Sequence, residues 1–232
     1  MYAGERCRWG KRLLIPTALP TPPAPSHHSP RRYPRRVRRH APVGGTGPEA
    51  AGKMTKGILS PDDYYYRRLY TDAVRAVAAA RSHPLVDAGR IVVSGGSQGG
   101  GMALAAAGLV PDLTAALVDV PFMTHIRRAV EITDADPYGE VARFCAGRRD
   151  LVDQVLATLD HFDGLNFAVR AGAPALFSTA LRDAITPTSC GFAAYNHYAG
   201  DKDLKVWAFN GHEGGGVHQQ AEQIAFLRGL LG

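Results

Sequence analysis

The sequence predicts an α/β chain with a doubly wound, mostly parallel sheet, on three observations. Short apolar runs alternate with longer amphipathic stretches from about residue 60 onward, which is the order that βαβ units require. One such run leads straight into Gly95-Gly96-Ser97-Gln98-Gly99-Gly100-Gly101 and then into an alanine-rich stretch, placing G-x-S-x-G on a strand-to-helix turn. Finally, 232 residues with 45% hydrophobic and 21% charged content suffice for one sizeable globular domain, or two small ones, with a proper core.

The elements follow in chain order. Ser60-Pro61-Asp62-Asp63 carries the proline and acids of a helix start. Residues 64–81 continue as an amphipathic helix, with Leu69, Ala73, Val77 and Ala80 at helical spacing. Asp87 to Gly89 turn the chain into a strand at 90–94, and a helix follows the glycine-rich turn to about Leu109. A second buried strand covers 115–120. Residues 122–170 are mixed polar and helical, with a helix expected over 150–159. Strands at 174–179 and 204–209 and a closing helix over 217–231 complete the pattern.

The glycine-rich turn points to nucleophilic chemistry. A serine on a sharp strand-to-helix turn takes strained backbone angles, and side chains two positions either side would collide with the strand and the helix. Glycines at 95 and 99 remove those collisions. The following helix aims its N-terminal N–H groups at the place where an oxyanion would develop. Phosphate-binding readings fit less well. No Gly-x-Gly-x-x-Gly register within 95–101 also sits correctly between strand and helix, and Gly100-Gly101-Met102 stands where a P-loop needs Gly-Lys-Ser/Thr.

Such a serine works with an acid and then a histidine, each just beyond a strand end. Asp183 follows the strand at 174–179 and His212 follows the strand at 204–209, so Ser97, Asp183 and His212 are the expected catalytic residues. The backbone N–H of Gln98 is the expected oxyanion donor. Asp119 is the rival acid because it ends the strand after the serine turn, and Asp183 is preferred to it. His27, His28 and His40 lie in the N-terminal segment, and His83, His125, His161 and His197 lie away from a strand end. His212-Glu213 lacks the second histidine of a zinc helix.

The net charge of +6 is not a global property. Residues 1–40 hold ten of the 27 Lys/Arg and one acid, so that segment carries +9 and the remainder −3. Eight prolines fall within the first 42 residues without apolar periodicity; residues 1–43 therefore read as a disordered basic tail, and residues 44–232 as the catalytic domain. A nucleic-acid arm would need a folded reader or interleaved aromatics, so nucleic acid is not the expected partner. An inert tail fits better, as does a GC-rich gene read out of frame or from too early a start. Cys7, Cys145 and Cys190 form neither a disulfide framework nor a metal pattern, which favours a reducing, cytoplasmic location. No run approaches a membrane span, and prolines break the apolar stretch after Lys11-Arg12 too early for a signal peptide.

Several longer runs carry a resemblance. They are Thr55-Lys56-Gly57-Ile58-Leu59, Tyr64-Tyr65-Tyr66-Arg67-Arg68, Gly95 to Gly101, Arg127-Arg128-Ala129-Val130-Glu131, Phe192-Ala193-Ala194-Tyr195-Asn196 and Gly211-His212-Glu213-Gly214-Gly215. With these, residues 44–232 resemble the cephalosporin C deacetylase and acetyl xylan esterase family, carbohydrate esterase family seven. The resemblance implies an α/β-hydrolase that removes acetyl groups from small esters, acetylated xylo-oligosaccharides and cephalosporin C among them. It implies no metal or organic cofactor, and a homo-oligomer, commonly a ring-like hexamer. Ser97, Asp183 and His212 match the family's triad positions.

The family pattern also has an upstream Arg-Gly-Gln and a tyrosine whose backbone N–H completes the oxyanion hole. No Arg-Gly-Gln occurs in this chain, and the strands expected before residue 44 have no counterpart in the Arg/Pro tail. The sheet is therefore expected to be incomplete on its N-terminal side. Loss of one oxyanion donor costs about 10²–10³ in rate. Two functional expectations follow: an acetyl esterase, or a truncated, inactive remnant of the family.

Overall fold

The computed structural model describes residues 52–232; the tail expected over 1–43 and the domain start at 44 lie outside them. Four strands, β1 (Val92–Gly96), β2 (Ala115–Asp119), β3 (Ala175–Ala180) and β4 (Lys202–Trp207), pair in parallel in the order β1-β2-β3-β4. Around them run helices α1 (Tyr65–Ser82), α2 (Gln98–Leu109), α3 (Ile126–Ile132), α4 (Tyr138–Gly147), α5 (Val152–His161), α6 (Leu165–Ala168), α7 (Thr188–His197) and α8 (Gly216–Leu231).

Alternation within the strands assigns the two faces. Val93, Ala116, Val118, Ala175 and Phe177 face α1, α2 and α7, packing with Val77, Leu104 and Ala194. Val92, Ala115, Leu117 and Leu176 face the opposite way, onto Leu227 of α8. Helices thus cover both faces, which is why β2 and β3 read as unbroken apolar runs. Behind α2 lies a second core, where Tyr64, Tyr66, Tyr70, Phe122, Tyr138 and Phe162 pack together.

Several boundaries differ from the sequence expectation. Ser60 to Asp63 form a turn, closed by Asp63 N–H donating to the Ser60 carbonyl, and α1 begins only at Tyr65. Arg90 N–H closes a turn onto the Asp87 carbonyl, which delays β1 to Val92. β4 starts at Lys202 and ends at Trp207. Among the described residues it is a sheet edge, where charged residues are tolerated, whereas Phe209, expected in the strand, is 92% exposed. The helix expected over 150–159 is a 3-10 turn, Arg149–Leu151, followed by α5.

Candidate active site

β1 delivers the chain to Ser97 with no intervening residue, and α2 starts at Gln98. Ser97 sits at φ 55, ψ −118, outside the helical and extended regions, a strain of order 1–3 kcal/mol that the surroundings must hold. They hold it through the backbone. Ser97 N–H donates to the Asp119 carbonyl (3.0 Å), and its carbonyl accepts from Phe122 N–H and Gly101 N–H, both at 3.0 Å. A Cβ on Gly95 would stand 2.3 Å from the Gly99 carbonyl group, so this tight turn admits only glycine there.

Asp183 lies three residues past β3 and His212 five past β4. The ladder between these strands continues beyond them: Leu181 N–H donates to the Trp207 carbonyl and Arg182 N–H to that of Asn210. The two loops are thereby zipped together. Asp183 Oδ2 lies 2.9 Å from His212 Nδ1, and His212 Nε2 lies 2.8 Å from Ser97 Oγ. The structure thus brings Ser97, Asp183 and His212 into one hydrogen-bonded chain.

The electrostatics fix the proton positions. Burial pushes the Asp183 carboxyl up. Hydrogen bonds from His212, the Thr186 hydroxyl and the backbone N–H groups of Thr186 and Ile185 outweigh it and hold the group below the ordinary carboxylate range. An ionised Asp183 can only accept, so His212 Nδ1 carries a proton, and in the neutral tautomer Nε2 is the acceptor for Ser97 Oγ–H. A neutral imidazole nitrogen facing a hydroxyl at 2.8 Å is placed to take its proton.

Gln98, as the first residue of α2, has no acceptor one turn back for its backbone N–H. Its side chain donates to Tyr66 Oη at 3.0 Å, and burial pushes that phenol up to about 12. A cleft of about 390 Å³ adjoins Ser97 and His212, bordered also by Asp119, Glu213 and Gln223. Among the described residues, no group of three or more His, Cys, Asp or Glu is arranged to hold a metal ion, and no helix is long and apolar enough to cross a membrane.

Asp119, the rival acid, stands elsewhere: its carboxylate accepts from Gln219 and Gln223 of α8 rather than from His212. One supporting residue, Thr186, was not singled out from sequence, and Glu213 and Gly215, noted there only as part of a motif, take on supporting roles here. Thr186 Oγ1 donates to Asp183 Oδ2 at 2.7 Å; its signal is Asp183-x-x-Thr186, the spacing by which a carboxylate gathers backbone and hydroxyl donors. Glu213 accepts from Asn210 Nδ2 (2.7 Å) and Gly211 N–H (3.0 Å), bracing the loop around His212. Gly215, at φ 91, lies against the Trp207 ring, where a Cβ would come within 2.3 Å.

Comparison with known proteins places the chain in a family. The acetyl xylan esterase (AXE1) family model matches residues 35–230. The acetyl esterase Axe7A of Xylanibacter ruminicola is 27% identical over 161 residues, 69% of this chain and 36% of the relative. An acetyl xylan esterase from Paenibacillus sp. R4 superimposes with a TM-score of 0.75 at 42% identity, over 82% of this chain and 60% of that one. Acetyl xylan esterase 1 from Thermoanaerobacterium sp. JW/SL YS485 gives 0.71 at 30% identity, over 79% of this chain and 60% of that one. The chain thus spans about a third of the curated relative and three fifths of these solved structures. The fold is that of an α/β-hydrolase, and the chain belongs to the acetyl xylan esterase family.

Proposed function

We propose that this chain is a serine carboxylesterase that removes acetyl groups from small acetylated sugars or related esters through Ser97, His212 and Asp183. Its support is the continuous chain from Asp183 Oδ2 through His212 to Ser97 Oγ, with both contacts under 3 Å, on a strained serine turn. In this reading His212 Nε2 takes the proton as Ser97 Oγ attacks the acetyl carbonyl. Asp183 holds the tautomer and stabilises the imidazolium. The Gln98 backbone N–H donates to the oxyanion. The tetrahedral intermediate collapses to acetyl-Ser97, and His212 returns the proton to the departing alcohol. Water, activated by the same histidine, then releases acetate and restores Ser97.

The family membership supports acetyl ester hydrolysis, and a cleft of about 390 Å³ suits a small ester. Deacetylation of cephalosporin C, a cytoplasmic location and a homo-oligomer belong to the same proposal, as does the absence of nucleic-acid and membrane partners. One observation favours a second reading, a remnant without turnover: among the described residues, the strand leading to Ser97 is a sheet edge. Hydrolysis of p-nitrophenyl acetate by the purified chain and by Ser97→Ala separates the two. Turnover lost in the variant supports the esterase; equal background rates refute it.

A further inference from the structure

Asp119 closes β2 and touches both halves of the site without contacting the imidazole. Its backbone carbonyl accepts from Ser97 N–H at 3.0 Å. Its carboxylate accepts from Gln219 Nε2 at 2.8 Å and also from Gln223 Nε2. Both glutamines belong to α8, the helix that the His212 loop runs into. The orientation of Gln219 is fixed from the other side, because its Oε1 accepts from Trp207 Nε1–H at 3.1 Å. That amide nitrogen therefore has to face Asp119. The next residue extends the clamp. Val120 sits at φ 35, a conformation rarely adopted by a β-branched residue, and its side chain packs against Gly214 of the His212 loop.

The carboxylate is kept at a cost. Burial pushes Asp119 up to about 6, and the hydrogen bonds to it do not offset that. Ser178, its neighbour across the β2–β3 register, is buried with a hydroxyl that makes no hydrogen bond of good geometry. Ser178 nonetheless lowers the Asp119 carboxyl, as do the two glutamines, and of these three it is the glutamine amides that make hydrogen bonds of good geometry and link Asp119 to α8.

We propose that Asp119 is a positioning residue that ties the serine turn to the histidine loop, setting the Ser97–His212 separation through its carbonyl on one side and through α8 on the other. The inference rests on Ser97 and His212 acting as nucleophile and base. In mechanistic terms, loosening the carboxylate lets the His212 loop drift from Ser97, an effect on turnover beyond whatever the change does to the cleft wall that Asp119 borders. A misplacement of about 1 Å in such a pair costs about 10²-fold in rate.

The test compares Asp119→Ala, Asp119→Asn and Gln223→Ala with the full chain on p-nitrophenyl acetate, reading kcat and KM separately. Asp119→Ala is expected to lose about 10²-fold in kcat, whatever accompanying shift in KM follows from its place on the cleft wall. Asparagine can accept from Gln219 and donate to a Gln223 amide turned end for end, so Asp119→Asn should recover most of the lost kcat. Gln223→Ala, which deletes one donor from half-buried α8 surface, should fall between them. Wild-type kcat in Asp119→Ala, a rise in KM alone, or Asp119→Asn as slow as Asp119→Ala would each overturn the inference. Should Asp119→Ala fail to fold by circular dichroism, the other two variants decide, and wild-type kcat in Gln223→Ala overturns it. Full hydrolysis by Ser97→Ala would sink the underlying esterase reading, and this inference with it. Loss in Ser97→Ala beside an unimpaired Asp119→Ala would sink this inference alone.

Discussion

Replacing Asp119 with asparagine should stabilise the protein from about pH 5 upward and leave it nearly unchanged well below about pH 4. The Asp119 carboxyl is raised from its ordinary 3.8 to about 6 by burial. A shift of that size corresponds to about 3 kcal/mol against the ionised folded state, an upper bound because the residue is only partly shielded from water. The sign follows from proton counting. Between the two values the folded chain holds a proton that the unfolded chain has released, so stability falls as pH rises through that window. Asparagine has no such titration and preserves the shape, so the stability difference between variant and wild type should grow with pH. It should reach up to about 3 kcal/mol at pH 8, with roughly half of that remaining at pH 5. Urea unfolding of both proteins at pH 5, 6, 7 and 8 measures it. A difference that stays constant across this range would refute the argument, because a burial cost must titrate and a mere change in hydrogen bonding does not.

Four further outcomes are expected. Asp183→Asn should reduce kcat by about 10⁴-fold by favouring the wrong imidazole tautomer, while Asp119→Asn keeps most of its turnover; the opposite ranking in a p-nitrophenyl acetate assay would reassign the acid. Because its hydrogen bonds hold Asp183 below the ordinary range, wild type should lose stability as pH falls through that depressed value, a loss that acid titration by circular dichroism should not find in Asp183→Asn. Gly95→Ala places a Cβ 2.3 Å from backbone, so the serine turn should not close, and labelling of Ser97 by a fluorophosphonate should vanish. Phe177→Ala, at a fully buried position on β3, should cost about 3–5 kcal/mol in urea unfolding.

Local chemistry made much of the fold legible. The serine turn announces itself because its steric demands fall within five residues, and β2 and β3 because a strand covered on both faces is apolar throughout. The loops bearing Asp183 and His212 were located by the strands before them. Less was visible where contacts are distant. Tyr66 and Tyr70 on α1 are buried, yet a tyrosine's polar tip hides it from a count of apolar residues at helical spacing, so the aromatic layer behind α2 was missed. The start of α1 was misplaced because proline and acids suit a turn as well as a first helical turn. Asp119 looked like a rival acid because a strand end is where either role would sit; only the packing of Gln219 and Gln223, a hundred residues away, separates the two.

The four described strands lie in the sheet in the order in which the chain is made. During synthesis each strand can therefore dock on its predecessor as it emerges. Ser97 arrives first, Asp183 follows 86 residues later, and His212 comes 29 residues after that. Until α8 follows, the Asp119 carboxylate lacks its glutamine partners. These four strands can thus pair before the serine turn and the histidine loop are tied together through Asp119, a link that waits for α8.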